Sequence, residues 1–283
     1  MTTAFVLSGG GSLGSVQVGM MQALLEVGIE PDMFVGASAG ALNAAFMGGR
    51  GFDAAALDDL AEIWVNLRRQ QVFPIDPLHQ TMALLGRRSS LCSNYGLRHV
   101  ISKHLEYERF EDAVVPVHVV ATDVLSGQDV LLSTGDPGPA VLASASIPAV
   151  LPAVELGGMT LFDGGVANNT PISHAVDLGA DRVVVLPTGV ACALDRPPGS
   201  TLSVAMHALT ILIEQRLARD VQDFSSRVEL ILLPPLCPLA VSSIDFAHGA
   251  EPISRAREAS SRWLAHGGPK RDHPEQFLSL HSH

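Results

Sequence analysis

Apolar residues fall into short unbroken runs joined by segments of helical period. Ala4 to Leu7 is one such run, and it ends in Ser8-Gly9-Gly10. From Ser15 to Val27 the apolar positions recur at helical spacing, and Gly28 supplies a stop. A second run, DMFVGAS, leads into a helical pattern over Ala39–Met47, and a third helix is expected over Ala54–Arg69. Runs without alternation predict strands buried on both faces. Their β-α-β-α order predicts a mostly parallel central sheet covered by helices.

The stretch 70–110 is mostly helical, broken by PIDP and GRRSS, and reads as a cap over one edge. VPVHVVATDV and DVLLSTG flank a Ser-Gly pair as a hairpin would. MTLFDGG and RVVVLPTG read as further strands with a helix over Pro171–Leu178 between them, and VELILLPP as the last core strand. A helix over Arg255–Leu264 closes the pattern. No repeat or linker divides the chain, so 1–266 is expected to be one domain, with 267–283 a flexible, frayed tail.

Composition narrows the function. With 283 residues, 47% hydrophobic and 17% charged, the chain can bury a large core. A net charge of −11 argues against nucleic acid and against strong attraction to anionic lipid. Neutral lipid is gripped by apolar contacts and is not excluded. Cys92, Cys192 and Cys237 form neither a disulfide framework nor a metal-ligand spacing, so no metal and no cofactor is expected. The first residues lack the basic region of a signal peptide, and prolines interrupt the greasiest stretch, ILLPPLCPLAV. A soluble, cytoplasmic protein is the expectation.

Three segments carry chemistry. In FVGASAGALN a serine sits between a strand and a helix, with glycine two positions before and after it. A nucleophile elbow has this form: the sharp turn lifts the hydroxyl clear of the sheet, and Gly36 and Gly40 relieve the crowding around Ser38. The helix beyond points its free amides and positive dipole end at the hydroxyl. In SGGGSLG, successive glycines let backbone amides approach an anion, so Gly9, Gly10 and Gly11 are candidate oxyanion donors. Gly9, Gly11 and Gly14 also fit a dinucleotide-binding turn, but the second strand then ought to end in an acidic residue, and it ends in Ser38. In LFDGGVANNTP, Asp163 ends a strand before Gly164 and Gly165 and can face the same edge as Ser38.

The three segments, in this order, resemble the patatin-like phospholipase family. GGGSLG resembles its oxyanion loop, GASAG with ALNAA its nucleophile elbow, and DGGVANNTP its aspartate motif. ATDVLSGQDVLLSTGD and ASASIPAVLPAV are also similar to family segments, and the likeness covers residues 4–190. The resemblance implies a three-layer α/β/α sandwich and a Ser38–Asp163 dyad that cleaves carboxylic esters of lipids, with a lipid or acyl ester as partner and transient contact with a membrane surface. The chain departs from the family at Leu13, where the oxyanion loop commonly carries a basic residue. The departure predicts a weaker preference for anionic phospholipids.

Two rival readings lead to different chemistry. A Ser-Asp-His triad would use Ser38, Asp163 and either His207, which falls in a helical pattern, or His248, in an expected loop. A non-catalytic lipid-binding protein on the same fold would keep the pocket without turnover. His118 reads as a satisfied core histidine, Ser144 and Ser146 either as pocket-lining residues or as small residues for tight packing, and Asn168-Asn169-Thr170 as a cap before Pro171. The pairs Arg68–Arg69 and Arg87–Arg88 read as solvated surface.

Overall fold

The computed structural model describes residues 1–189, 197, 199, 201–236, 243–271 and 274–277. Eight strands form one sheet: β1 Thr3–Leu7, β2 Met33–Ala37, β3 Val117–Asp123, β4 Asp129–Leu132, β5 Val154–Leu156, β6 Met159–Asp163, β7 Arg182–Leu186 and β8 Glu229–Leu232. They are ordered β5-β6-β3-β2-β1-β7-β8, with β4 also paired to β3. Strands β3, β2, β1, β7 and β8 run parallel, and β4, β5 and β6 pair antiparallel. The expected hairpin is β3–β4. The β5–β6 hairpin, turned by Gly157 and Gly158 at positive φ, was not legible because its first arm, β5, has only three residues.

Both faces of the sheet are covered, which accounts for the unbroken apolar runs. Along β1, Phe5 and Leu7 join one core and Ala4 and Val6 the other. On the first face lie α1 Gly14–Glu26, α2 Ala39–Arg50 and α3 Ala54–Asn66. The short helices α4 Arg69–Val72 and α5 Pro77–Leu84 lead to α6 Tyr95–His104, and α7 Pro137–Ser144 follows the hairpin. Helices α8 Gly165–Asn168, α9 Ile172–Asp177 and α10 Thr201–Phe224 come next, and α9 and α10 supply Ile172, Ala175, Leu217 and Val221 to the second core. Helix α11 Ala250–Ala265 returns to the first face. There Gly19 of α1 lets the helices approach so closely that a Cβ would stand 2.1 Å from the Ile253 carbonyl oxygen. The architecture is therefore a mixed α/β fold with a central sheet flanked by helices.

Part of the segment expected to fray is folded. Gly268–Arg271 forms α12, and Phe277 packs edge-on against Trp263 with ring centroids 6.1 Å apart. Residues 278–283, Cys192 and Cys237 lie outside the described residues.

Strand β3 brings the site together. Val119 and Val120 pair with β2 and with β4, while Ala121 and Thr122 pair with β4 and with β6. A strand has two edges, so β2 and β6 meet head-on along the same edge of β3. Ala37, the last residue of β2, is opposite Val120, and Asp163, the last of β6, is opposite Ala121. The residues that follow these two strand ends are forced into contact.

Candidate active site

Ser38 is the first residue after β2 and the N-cap of α2. Its φ of 53° and ψ of −121° lie where side chains other than glycine are rarely found. Such a conformation costs about 1–3 kcal/mol and persists only where its surroundings enforce it. The enforcement is visible here. The Ser38 amide donates to Ser144 Oγ at 2.9 Å, and that hydroxyl donates to the Val120 carbonyl at 2.6 Å. A Cβ on Gly36 would stand 2.5 Å from the Gly40 carbonyl oxygen, and one on Gly40 would stand 2.1 Å from that of Leu7. Both glycines answer a need for space.

Ser38 Oγ donates to Asp163 Oδ2 at 2.7 Å, and the other carboxylate oxygen accepts the Gly165 amide at 2.7 Å. Burial pushes the Asp163 carboxyl up to about 6, against the opposing pull of the hydrogen bonds from Ser38 and Gly165. The Asp-Gly-Gly turn is tightly enclosed: a Cβ on Gly164 would meet the Val120 carbonyl oxygen at 2.1 Å, and one on Gly165 would meet Asn169 Oδ1 at 2.7 Å.

The glycine loop after β1 leans on the same turn. The Gly9 amide donates to the Asn169 carbonyl at 3.1 Å, so of the three expected oxyanion donors this one is already committed. Gly10 and Gly11 have no hydrogen-bond acceptor for their amides among the described residues. Gly11 has a φ of 60°, and a Cβ there would strike the Ser243 carbonyl oxygen at 2.2 Å. A Cβ on Gly9 would come within 2.9 Å of Ser38 Cβ, so the loop packs directly on the serine.

Several residues that hold these pieces were read as bland or not read at all. Asn168, Asn169 and Thr170 do not cap α9, whose N-cap is Pro171 and has no side-chain cap. Asn168 instead donates to Asp129 at 2.8 Å, Asn169 to the Gly9 carbonyl at 3.3 Å, and Thr170 shares a 2.8 Å hydrogen bond with Ser8. They tie the aspartate turn to β4 and to the glycine loop. Thr188 donates to the Gly9 carbonyl at 2.7 Å. Behind the loop, buried Gln17 donates to the carbonyls of Ser8 and Leu186, Asn43 donates to Gln17, and Trp64 donates to Asn43. This chain joins the glycine loop to α2 and to the pocket wall. The signal available in the sequence was polarity at inward-facing helical positions, since buried Gln and Asn need partners. Ser144, read as packing, braces the elbow, and Ser146 donates to the Leu142 carbonyl at 2.7 Å.

The cleft over Ser38 is apolar. Leu42, Trp64, Leu67, Phe73, Ile147 and Phe246 line it with Gly11 and Ser38, enclosing about 410 Å³, the mouth included. His248 is paired with Asp245 at 3.7 Å and more than half exposed, and neither it nor His207 is among the hydrogen-bond partners of Ser38 or Asp163. His118 is half-buried and hydrogen-bonded to Ser133 at 2.7 Å, as a satisfied core histidine should be.

The sequence model described as "Patatin-like phospholipase" matches residues 5–176, more than half of the chain. The chain belongs to the patatin-like phospholipase family. Among its relatives, the patatin-like phospholipase domain-containing protein 7 of Rattus norvegicus is 30% identical over 189 residues, covering 66% of this chain and 13% of that protein. An uncharacterized NTE family protein of Mycobacterium tuberculosis is 28% identical over 184 residues, covering 65% of this chain and 48% of the relative. This chain thus matches only part of each relative's length. The human GIVD cytosolic phospholipase A2 has a similar fold, with a TM-score of 0.51 at 10% identity, over 98% of this chain and 60% of the solved one. No described helix is long and apolar enough to cross a membrane.

Proposed function

We propose that this patatin-like phospholipase family member is a lipid acyl hydrolase that cleaves carboxylic esters with Ser38 as nucleophile and Asp163 as its base. The observation that carries the reading is the 2.7 Å hydrogen bond from a strained, elbow-borne Ser38 to the buried carboxylate of Asp163. Ser38 Oγ attacks the ester carbonyl as its proton passes to Asp163 Oδ2. The protonated Asp163 then gives that proton to the departing alcohol. A water molecule, deprotonated by the same carboxylate, attacks the acyl-serine, and Ser38 leaves as the free hydroxyl. The open amides of Gly10 and Gly11 are the oxyanion donors best placed by their lack of another partner. One such donor is worth about 2.7–4 kcal/mol to a transition state.

A pKa of about 6 suits the base: the carboxylate is ionised at neutral pH yet more basic than an exposed one. The apolar cleft and Leu13 in the glycine loop favour a neutral acyl ester over a strongly anionic phospholipid. The test is hydrolysis of p-nitrophenyl butyrate by purified protein. Ser38→Ala should lower turnover by at least about a thousandfold. His248→Ala should retain most of it. A Ser38→Ala protein that still turns over overturns the reading, and loss of activity in a folded His248→Ala protein establishes the triad instead.

A further inference from the structure

The turn that carries Asp163 is too short to hold its own shape. Helix α8 is a single turn, Gly165–Asn168, and Gly164 before it offers no side-chain cap. Its frame is the 2.8 Å hydrogen bond from the Asn168 amide to the Gly164 carbonyl. One such turn is not stable by itself. Yet the Gly165 amide at its start has to point at Asp163 Oδ1, leaving Oδ2 for Ser38. The aim must come from outside the turn.

It comes from the second face of the sheet. Thr122 of β3 and Asp129 of β4 are opposite each other in the ladder, and their side chains lie on that face with those of Val120 and Leu131. Thr122 Oγ1 donates to the Asp163 carbonyl at 2.9 Å and accepts the Ala167 amide at 3.2 Å, so it grips the front of α8. Asp129 Oδ2 accepts from Asn168 Nδ2 at 2.8 Å and from His174 Nε2 at 3.0 Å, so it grips the back of α8 and ties it to α9. Arg216 of α10, paired with buried Asp220, donates to the Ala167 carbonyl at 2.9 Å. Asn168 is fully buried, and its Oδ1 has no hydrogen-bond partner among the described residues. Its amide is thus turned to give the nitrogen to Asp129 at the expense of the oxygen. The hydrogen bond from His174, joined by that from Asn168 and opposed by partial burial, holds the Asp129 carboxyl well below the usual carboxylate range. Asp129 is therefore an anion wherever Asp163 can act as a base.

We propose that Asp129 is a positioning residue: through Asn168 and α8 it aims the Gly165 amide, and so sets which oxygen of Asp163 faces Ser38. The proposal rests on the reading of Ser38 and Asp163 as nucleophile and base. Asp129, Asn168 and His174 line no part of the cleft over Ser38, whose apolar walls belong to the first core. Their loss should therefore act on turnover and not on substrate binding.

The test is the pH profile of p-nitrophenyl butyrate hydrolysis. Asp129→Ala should lower kcat by at least about tenfold and leave KM within about twofold of the unaltered protein. The acid limb of kcat/KM should move up from about 6, because the Gly165 amide is one of the groups that hold the Asp163 carboxyl down. A mere loss of folded protein would lower the amplitude of the profile without moving its limb. Asp129→Asn keeps an oxygen acceptor in the same place and should recover at least about fivefold of the lost kcat, with the limb back near 6. Asn168→Ala cuts the tie to α8 but leaves the Asp129–His174 pair, and should reproduce the lowered kcat and raised limb even where Asp129→Ala does not fold. A folded variant of either kind with unchanged kcat overturns the proposal, and so does a lowered kcat whose limb stays in place. Failure of the underlying reading looks different: Ser38→Ala and Asp163→Asn then keep their turnover. Inactive Ser38→Ala and Asp163→Asn proteins beside an indifferent Asp129→Ala leave that reading standing and overturn only the role of Asp129.

Discussion

Asp163→Asn should abolish ester hydrolysis and at the same time make the protein more stable at neutral pH. The first effect follows from the proton path. Asparagine cannot accept the Ser38 proton, and among the described residues no other base is hydrogen-bonded to the hydroxyl. The second follows from burial. The Asp163 carboxyl has an ordinary pKa of 3.8 and is pushed up to about 6 in the folded chain. Between those values the folded state binds the proton more tightly than the unfolded state. Stability is therefore lost as pH rises from about 4 to about 6, and the loss is complete above that. The difference corresponds to about 3 kcal/mol as an upper bound. The altered hydrogen bonds to Ser38 and Gly165 offset part of it, leaving a net gain on the order of 1–2 kcal/mol for the asparagine variant. Urea unfolding of both proteins at pH 4 and pH 8 checks this: the variant should be more stable at pH 8 and the gap should shrink at pH 4. A gap that grows toward low pH would contradict the burial account. In the unaltered enzyme the same ionisation makes kcat/KM fall as pH drops below about 6.

Gly40→Ala should unfold the protein or cost it more than about 3 kcal/mol, although alanine is the better helix former. The added methyl would stand 2.1 Å from the carbonyl oxygen of Leu7, a backbone atom of a central strand that cannot swing aside. Relief requires moving α2 off the sheet, which also dismantles the elbow. Gly28→Ala is the control. That glycine has a φ of 71° and nothing within 4 Å of the added methyl, so the cost there is only the strained backbone, about 1 kcal/mol. Urea midpoints of the two variants separate crowding from backbone strain, and equal costs would show that the contact at Gly40 is relieved cheaply.

How far the sequence could be read follows from where each signal lies. The layers were legible because β1 after Thr3 and the whole of β2 run without a polar position, and each face of the sheet has its own core. Ser38 and Asp163 were legible because the turns that carry them need small residues at fixed offsets, and those glycines sit beside them in the chain. The brackets around them were not legible. Ser144 is 106 positions from the Ser38 amide it binds, and Thr188 is 179 positions from the Gly9 carbonyl. Contacts of that range leave no local period or spacing. The commitment of the Gly9 amide was hidden in the same way, since its acceptor is the backbone of Asn169. Helix α7 and strand β5 were missed for a different reason: α7 is buried at six of its eight positions and so shows no polar period, and three residues of β5 are too few to establish one.

The central claim is that Ser38 is activated by Asp163. It is tested most directly by treating the protein with an alkyl fluorophosphonate and locating the adduct by peptide mass spectrometry. The account predicts one adduct, on Ser38, formed rapidly in the unaltered protein and at a rate reduced by at least about a hundredfold in Asp163→Asn. An adduct on another residue, or equal labelling rates in the two proteins, would contradict it.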